Sequence, residues 1–325
     1  MKTSKLLGAL LGAAGMLAAS QTSALALDKI EMVVFGPPSL GAFLPPVIKA
    51  QKIDEKNGLD IKFTERPPDA YTVQFNTGEF QLGGSAALLT VGLAAARGVD
   101  VQYLFNVFDY WSYVVTNRDD IKTLKDIEGK DMAAAKSTSS YRIFTWFAKQ
   151  QGVDMDKVSV VNTAPPGLVS YAMADRAASV HMWSPGYDVL VTRKKGVRTI
   201  DLNIHEVWKK FTGGTNIPYL GVAAHTKWVK ENPKLVVKLY QTYKDAAAWV
   251  IANPDEASKL IQAKSSPETQ KAVADLIRAN DRLGMNVTWA SESKKELKLI
   301  YKVGMETGIM PSDPGEKTLY SGPQQ

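Results

Sequence analysis

Four consecutive hydroxyl residues stand near the middle of the chain, and an aromatic and a basic residue follow them: Ser137, Thr138, Ser139, Ser140, Tyr141 and Arg142. A strand pattern ends just before this run, and an amphipathic helix pattern follows it. The start of a helix leaves about four backbone N–H groups unpaired and carries roughly half a unit of positive charge. With added hydroxyl donors and no acidic neighbour, such a turn can hold an oxyanion. The alternative is that one hydroxyl is an ordinary N-cap and the others are solvated.

Two turns in the first third of the chain could also approach a ligand. The run "GGSA" at 83–86 separates a predicted short strand from a predicted apolar helix, and glycines let a backbone come close to a bound molecule. Ser39 precedes another predicted helix. For Ser39 and Ser85 the alternative role is helix capping, and for the glycines it is close packing.

Aromatic residues mark two other predicted strand ends. Trp183 ends the strand pattern over 179–183. A second cluster lies where the first series of strands and helices gives way to a second series: Phe108, Tyr110 and Trp111. Each is a candidate to contact a ligand at the edge of a sheet. The alternative for each is a place in the core, because aromatic side chains bury large areas.

These side chains need a frame, and the pattern of the whole chain supplies one. Strand and helix patterns alternate over 29–107 and again over 112–202, and after a strand pattern over 219–224 only helix patterns follow. Such alternation predicts mainly parallel sheets covered by helices. We therefore predict an α/β fold with two lobes, in which a ligand binds beyond the carboxyl ends of the strands.

The two series of elements also divide the chain. We predict that residues 27–116 and 217–325 form lobe one and that residues 117–216 form lobe two, so that the chain crosses between the lobes twice. The helices at the end of the chain need a partner surface, and we expect them to pack on lobe one.

Catalytic and metal sites find little support in the sequence. His181, His205 and His225 show no metal-ligand spacing, and the absence of cysteine excludes cysteine ligands and nucleophiles. The run "GGSAA" lacks the last glycine of a nucleophile elbow, and the chain has no phosphate-binding loop or dinucleotide fingerprint. We expect a protein that is not an enzyme, with no catalytic residue, metal or cofactor. A hydrolase that uses Ser85 with His181, or a biosynthetic enzyme on the same fold, is the enzymatic alternative.

The first 26 residues predict export. Lys2 and Lys5 precede an apolar run over 6–19, and "ALA" at 24–26 has the small-x-small pattern that signal peptidase reads. The apolar run is shorter than the roughly 20 residues that span a membrane. We therefore predict a cleaved signal peptide over 1–26 and a periplasmic mature protein, with a retained N-terminal anchor as the alternative.

The composition is that of a globular protein with a sizeable core. Of the 325 residues, 45% are hydrophobic, and without cysteine the core must replace disulfides as the source of stability. The net charge of +6 is mild for this length, and the positive residues are scattered. Nucleic acid is therefore not an expected partner. We expect a monomer that reaches a membrane only through a partner.

Three stretches carry a resemblance to a known family: 78–101 ("GEFQLGGSAALLTVGLAAARGVDV"), 121–144 ("IKTLKDIEGKDMAAAKSTSSYRIF") and 162–190 ("NTAPPGLVSYAMADRAASVHMWSPGYDVL"). The chain resembles the periplasmic substrate-binding proteins of ABC importers for nitrate, sulfonate, taurine and related compounds. It is also similar to the thiamine-pyrimidine-precursor binders. The similarity covers essentially all of the predicted mature chain.

The resemblance implies a two-lobed periplasmic-binding-protein clamshell with two hinge crossings and a ligand in the cleft. It also implies a small-molecule solute and, as partners, an ABC permease and its ATPase. By motif match it implies residues that face each other across the cleft. Together with the hydroxyl and aromatic candidates above, these make up the predicted ligand-binding set: Ser39, Ser85, Ala86, Phe108, Trp111, Ser137, Thr138, Ser139, Tyr141 and Trp183.

Two departures from the family pattern bear on the solute. The run "ADRAASVHMW" at 174–183 stands where family members commonly show a Gly-Asp-Ile-Asp-Ala-like stretch. In addition, no arginine is clearly placed to pair with a strong anion, since we expect Arg142 to point along its helix. With the aromatic candidates, these departures favour an organic oxyanion, such as a sulfonate or a taurine-like compound, over nitrate. A heteroaromatic or pyrimidine solute, or an aromatic carboxylate, is the alternative, and a sensing role stays open beside transport.

Overall fold

The computed structural model describes residues 26–37 and 39–323. Except for Ala26, the predicted signal peptide lies outside the described residues. The strands are β1 (Asp28–Phe35), β2 (Leu59–Arg66), β3 (Leu82–Ala87), β4 (Val101–Asp109), β5 (Ser112–Thr116), β6 (Asp131–Ala134), β7 (Ser159–Asn162), β8 (Ser179–Trp183), β9 (Arg198–Ile200), β10 (Pro218–His225) and β11 (Met285–Trp289).

The α-helices are α1 (Leu44–Ala50), α2 (Ile53–Lys56), α3 (Pro68–Asn76), α4 (Leu88–Ala96), α5 (Ser139–Gln150), α6 (Pro165–Met173), α7 (Ser184–Arg193), α8 (Ile204–Thr212), α9 (Thr226–Glu231), α10 (Pro233–Ala252), α11 (Pro254–Ile261), α12 (Pro267–Arg278), α13 (Asn280–Leu283) and α14 (Lys294–Glu306). Short 3-10 helices span Leu40–Ala42, Leu124–Ile127, Met155–Lys157 and Glu316–Thr318. None of the described helices is both long enough and apolar enough to cross a membrane.

The strands form two separate sheets. The first has the order β11-β4-β10-β3-β1-β2, and the second has the order β7-β6-β8-β5-β9. In the first sheet β1 to β4 run in one direction, and β10 and β11 run opposite to them. In the second sheet only β5 runs against its neighbours. This arrangement confirms the predicted α/β class with two lobes.

The chain first changes sheet between Asp109, where β4 ends, and Ser112, where β5 begins. Because β5 is hydrogen-bonded to β8 and β9, residues 112–116 belong to the second sheet, and the expected crossing at 116–117 lies too late. A strand pattern does not tell which sheet the strand will join. The chain returns to the first sheet before Pro218, where β10 begins. The division into two folding units itself stays a prediction.

β3 runs straight through Gly83 and Gly84. The expectation that these glycines end a strand and that a helix starts at Ser85 is therefore wrong, and α4 begins only at residue 88. Packing explains the difference. A Cβ on Gly83 would lie 2.3 Å from the Tyr71 hydroxyl oxygen, and one on Gly84 would lie 2.6 Å from Met32 Sδ. Large neighbouring side chains thus require glycine inside this strand.

Four other parts of the chain differ from the sequence pattern. The single helix predicted over 42–56 is divided, with Lys52 in the left-handed region at φ 53° between α1 and α2. α8 was not predicted, although Ile204, Val207 and Trp208 are buried on one side of it. β11 was not predicted either, and it pairs as an edge strand with β4. The long helix predicted up to residue 282 ends at Arg278, where α13 begins a new direction.

Two hydrophobic clusters fill the fold. The larger includes side chains from both faces of the first sheet and extends to α5 and α8 in lobe two, with Phe105, Tyr243, Phe144 and Trp208 among its members. The smaller lies between the second sheet and α6 and α7. α10 and α14 pack on lobe-one elements, as expected, while α12 also contacts α7 and α14 also contacts α5. The two lobes therefore touch through helices on more than one side.

Candidate functional site

The carboxyl ends of the parallel strands in the two sheets meet at the two crossings. In lobe one these ends are followed by the turn after β1, the start of α4 and the first crossing. In lobe two they are followed by the starts of α5, α6 and α7. β5 starts at the same edge, because Ser112 pairs with Trp183 at the end of β8. Both crossings join these edges, so the edges face each other; the region between them corresponds to the cleft in which a ligand is expected in such folds.

The hydroxyl run forms the first turn of α5. Thr138 is the N-cap: its Oγ1 accepts a hydrogen bond from the backbone N–H of Tyr141 at 3.3 Å and donates one to the carbonyl of Ala135 at 2.8 Å. Ser137 is exposed. The capping alternative therefore describes Thr138 in this structure, whereas Ser137 remains open to solvent.

The next two serines face lobe one. Ser139 is only 3% exposed, and its Oγ lies 3.1 Å from Oγ1 of Thr90 on α4. The backbone carbonyl of Ser140 accepts a hydrogen bond from the Tyr110 hydroxyl at 3.2 Å. The four hydroxyls do not converge on one point. The run supplies a helix cap and a contact between the lobes.

Ser85 and Ala86 are buried within β3, with 0% and 1% of their surface exposed. Ser85 Oγ accepts a hydrogen bond from the backbone N–H of Phe35 at 2.8 Å, which ties the end of β1 to β3. The turn after β1 covers this hydroxyl, since a Cβ on Gly41 would lie 1.9 Å from it. Ser39 is half-buried and caps that turn, with its Oγ accepting from the Gly41 N–H at 3.0 Å. Ligand contact by these three residues stays a prediction.

The aromatic candidates divide into buried and accessible groups. Phe108 is 2% exposed, and its ring packs edge-on against Phe43 with 6.1 Å between centroids. Trp111 and Trp183 are half-buried at the cleft edge. The Trp111 ring lies 5.3 Å from the ring of His205. Trp111 and Trp183 are therefore better placed than Phe108 to contact a ligand.

Tyr141 lies in a buried aromatic group with a histidine. The ring of His181 on β8 lies 5.9 Å from the ring of Tyr141 and 4.7 Å from that of Phe144. Burial lowers the pKa of His181 to about 3, so its ring is neutral at pH 7. Burial also raises the pKa of Tyr141. The Ser85 hydroxyl is hydrogen-bonded to the Phe35 backbone, and the His181 ring packs against Tyr141 and Phe144. The structure therefore does not support the Ser85–His181 hydrolase.

Lobe one places a cation at this edge, contrary to the expectation from the sequence. Nη1 of Arg282, on α13, lies 3.4 Å from Oδ1 of Asp188 on α7 and 3.5 Å from the hydroxyl of Tyr113 on β5. The backbone carbonyl of Arg282 accepts a hydrogen bond from Ser184 Oγ at 2.7 Å. The signal in the sequence was the pair of helix-interrupting residue types that flank this arginine, Asn280 and Gly284.

The partners of Arg282 are also new to the site. Burial raises the pKa of Asp188 to about 6, although Arg282 acts in the opposite direction. Burial likewise raises the pKa of Tyr113. The Tyr113 ring lies 4.4 Å from that of Tyr187 and 6.4 Å from that of Trp111. An ion pair thus lies beside a group of aromatic rings at the start of lobe two.

A hydrogen-bond network holds the two crossings side by side. Asp109 Oδ1 accepts from Asn106 Nδ2 at 2.9 Å, and its Oδ2 accepts from Asn286 Nδ2 at 2.9 Å. The Tyr110 N–H donates to the carbonyl of Ile217 at 2.7 Å. Burial raises the pKa of Asp109 to about 6, while the two asparagine hydrogen bonds lower it. Within the described ranges, no group of three or more His, Asp or Glu side chains could hold a metal ion.

Residues 55–257, from α2 to α11, match the family described as NMT1/THI5 like. This chain belongs to the NMT1/THI5-like family. The NMT1/THI5-like match includes the whole second sheet and both crossings between the lobes. It therefore contains the hydroxyl turn and most of the aromatic residues at the cleft edge.

Solved structures share the fold over most of the chain. The periplasmic aliphatic sulphonate binding protein SsuA from Escherichia coli superposes with a TM-score of 0.71 at 17% identity, covering 92% of this chain and 93% of that one. The alkanesulfonate-binding protein SsuA from Xanthomonas axonopodis pv. citri, bound to MOPS, gives a TM-score of 0.68 at 16% identity, with 90% and 96% covered. These similarities confirm the expected periplasmic-binding-protein clamshell.

A curated relative matches a shorter part of this chain than the solved structures do. A protein of Brucella abortus (strain 2308) that is named "Putative binding protein" is 21% identical to this NMT1/THI5-like chain over 220 residues. The match covers 67% of this chain and 66% of the relative, just under two thirds of its length.

Proposed function

We propose that this chain is the extracytoplasmic solute-binding protein of an ABC importer. We propose further that it is not an enzyme and that it binds a small organic oxyanion, such as a sulfonate or a taurine-like compound. The observation that carries the proposal is the cleft, in which two sheets present their carboxyl ends to each other across two crossings. A ligand there contacts both lobes and shifts the open–closed equilibrium through its extra contacts in the closed state. The sulfonate-binding fold neighbours support the ligand class.

The partners follow from the same role. The closed, solute-loaded protein would dock on a membrane permease that a cytoplasmic ATPase drives, and the membrane would be reached only in this way. The signal peptide predicted over 1–26 would direct the chain to the periplasm as a monomer. The periplasmic origin of the E. coli fold neighbour supports this location.

The residues proposed to contact the solute are those of the predicted set that reach the cleft edge. From lobe two, Ser137 and Trp183 are at least partly accessible, and Trp111 lies on the crossing beside them. Thr138 and Tyr141 stand one layer behind, as the cap and first turn of α5. The solute would therefore meet an aromatic surface as well as hydroxyl donors.

The aromatic surface also favours a second candidate solute. The rings of Tyr113 and Tyr187 lie 4.4 Å apart, and the Trp111 ring is next to Tyr113. Trp111 and Tyr187 are half-buried and can stack on a planar ligand, while the buried Tyr113 ring supports them from behind. A heteroaromatic compound, such as a pyrimidine, or an aromatic carboxylate is thus the alternative to an aliphatic sulfonate.

A thermal-shift panel on refolded protein tests the proposal. The mature chain, starting at Leu27, is unfolded and refolded to remove carried-over ligand, and is then heated with alkyl and aryl sulfonates, taurine, nitrate, carboxylates and pyrimidines. A ligand at 100 times its Kd adds about 2.7 kcal/mol to the free energy of unfolding, which is about 5–10 °C in Tm at this size. A shift with a sulfonate or carboxylate supports the proposal. No shift with any compound, or turnover of a bound one, contradicts it.

A further inference from the structure

Arg282 reaches from one lobe to the other. It belongs to α13, between α12 and β11, and both of these elements belong to lobe one by chain order and sheet. Its Nη1 nevertheless contacts Asp188 and Tyr113 in lobe two, and its carbonyl accepts from Ser184 at the start of α7. A single residue of lobe one therefore makes three contacts at the ligand-facing edge of lobe two.

The guanidinium of Arg282 has donor capacity to spare. A guanidinium carries five N–H donors in a planar fork. Among the described residues, both of its side-chain contacts use Nη1, and at 3.4 and 3.5 Å both are at the long limit for hydrogen bonds. The side chain is 32% exposed. Nη2 and Nε can therefore serve a further acceptor, and the fork matches the paired oxygens of a carboxylate or sulfonate.

Asp188 holds this arginine in position. Its side chain is only 9% exposed, and Oδ2 has no hydrogen-bond partner within the described part of the chain. An ion pair with a buried carboxylate and such long contacts contributes little to stability, because the desolvation of the carboxylate offsets the attraction. The pair is better explained as the support of a cation that an anionic ligand completes.

The surroundings of the pair restrict the chemistry of that ligand. The rings of Tyr113 and Tyr187 pack beside Asp188, with Trp111 on the crossing next to them. An inorganic anion would leave these apolar surfaces unused. An anion carried on a carbon skeleton would place its charge on the guanidinium and its apolar part against the rings.

From this arrangement we infer that Arg282 is the anion-recognising side chain of the cleft. Its ligand is an organic sulfonate or carboxylate, and the half-buried rings of Trp111 and Tyr187 receive the organic part, with the buried Tyr113 ring behind them. The hydroxyl turn of α5 is secondary, since Thr138 and Ser139 are engaged in a cap and in a contact with Thr90. This inference rests on the proposed function.

Titration calorimetry on ligand-stripped mature protein tests it with three probes: MOPS, benzenesulfonate and benzoate. Arg282→Gln should weaken binding of each bound probe by about 10-fold to 150-fold, as expected for a lost hydrogen bond to a charged group. The affinity of Arg282→Lys should lie between those of the wild type and Arg282→Gln, because lysine keeps the charge but not the planar fork of donors. Arg278→Gln is the matched control: this arginine ends α12, pairs with Asp255 and Asp275 on lobe one, and should leave the affinity unchanged.

The outcomes separate the inference from the proposed function. If the wild type binds a probe and Arg282→Gln binds it within about threefold, the inference is overturned while the proposed function stands. If the wild type binds neutral heteroaromatic compounds and none of the anions, the inference and the solute class both fail, but solute binding stands. If the wild type binds nothing, both fail together.

A wild-type comparison covers the case in which Arg282→Gln does not fold. Benzenesulfonate and benzenesulfonamide share their shape, and only the first is an anion. A cation at the site should favour benzenesulfonate by about 10-fold or more. Equal affinity for the two compounds overturns the inference without any variant.

Discussion

The hydroxyl oxygens of Thr90 and Ser139 lie 3.1 Å apart, and they belong to different lobes. Thr90 is on α4 in lobe one, and Ser139 is the first residue of α5 in lobe two. Close by, the Tyr110 hydroxyl donates to the Ser140 carbonyl. The start of α5 is therefore attached to lobe one by side-chain hydrogen bonds as well as by the apolar cluster that both lobes share.

Loss of the Thr90 hydroxyl should weaken the contact between the lobes. Thr90→Val keeps the shape but leaves the buried Ser139 hydroxyl without this partner, so we expect the free energy of unfolding to fall by about 1 kcal/mol. Because the contact crosses the cleft, the affinity for the solute should fall as well. Urea denaturation and calorimetry measure the two effects.

Thr145→Val is the control for the Thr90 prediction. Thr145 lies on α5, and its hydroxyl donates to the Arg142 carbonyl of the same helix, so no contact between the lobes is lost. We expect its affinity for the solute to equal that of the wild type. Equal effects of the two substitutions on affinity would show that the Thr90–Ser139 contact does not act on binding.

The hydroxyl turn should separate into a structural and a solvated part. Thr138→Ala removes the N-cap of α5 and should lower the free energy of unfolding by about 1 kcal/mol, whereas Ser137→Ala should change it by less than about 0.5 kcal/mol. Thr138→Ser keeps the capping oxygen, so its free energy of unfolding should stay close to that of the wild type. Chemical denaturation of the three variants measures this. Equal losses of stability in Ser137→Ala and Thr138→Ala would contradict the capping assignment. If the variant that combines Ser137→Ala with Thr138→Ala binds the solute as tightly as the wild type, the turn is excluded as an anion-binding site.

An alanine at position 83 should destabilise the first sheet. Its Cβ would lie 2.3 Å from the Tyr71 hydroxyl oxygen and 3.2 Å from Phe75 Cδ2. We expect Gly83→Ala to cost about 1–3 kcal/mol of unfolding free energy, as overpacked cores do. Thermal or urea denaturation measures the cost.

Removal of the Tyr71 hydroxyl provides the test of that cause. Tyr71→Phe should recover part of the stability lost in Gly83→Ala, and a double-mutant cycle should give a favourable coupling energy. Additive effects of the two substitutions would mean that the glycine is required for a reason other than the space that Tyr71 occupies.

Asp109 should make the stability depend on pH. Burial raises its pKa from 3.8 to about 6 in the folded protein, so the folded state binds more protons than the unfolded state between about pH 4 and pH 6. The free energy of unfolding should therefore fall as the pH rises through this range, by at most about 3 kcal/mol from this group. Below about pH 4, Asp109 makes its full contribution to the free energy of unfolding.

Asp109→Asn isolates that contribution, because Asp188 also has a pKa of about 6 and titrates in the same range. The variant loses one of the two hydrogen bonds from Asn106 and Asn286, so its absolute stability will differ, but its slope against pH should be shallower than that of the wild type. Urea denaturation at pH 4, 5, 6 and 7 measures both slopes. Parallel curves would mean that Asp109 does not carry the pH dependence.

The sequence by itself determined the class of the fold and the order of its parts. The alternation of strand and helix patterns is local, because a strand of period two or a helix of period 3.6 follows from neighbouring residues. For the same reason the strand end at Trp183 was predictable, whereas α5 begins at Ser139, inside the hydroxyl run that was expected to precede the helix. Neither the membership of residues 112–116 in the second sheet nor the edge strand β11 was predicted, since both depend on pairing with distant strands.

Only the tertiary structure decided which chemical groups meet in the cleft. The neighbouring residues in the sequence predict a turn at Gly83 and Gly84. In the structure, side chains from other elements surround both glycines, which lie within a strand. Arg282 lies 94 residues from Asp188 and 169 residues from Tyr113 along the chain. The guanidinium of Arg282 reaches both residues only because α13 interrupts the helix that the sequence predicted. Long-range packing determines such contacts, and the periodicity of the sequence does not predict them.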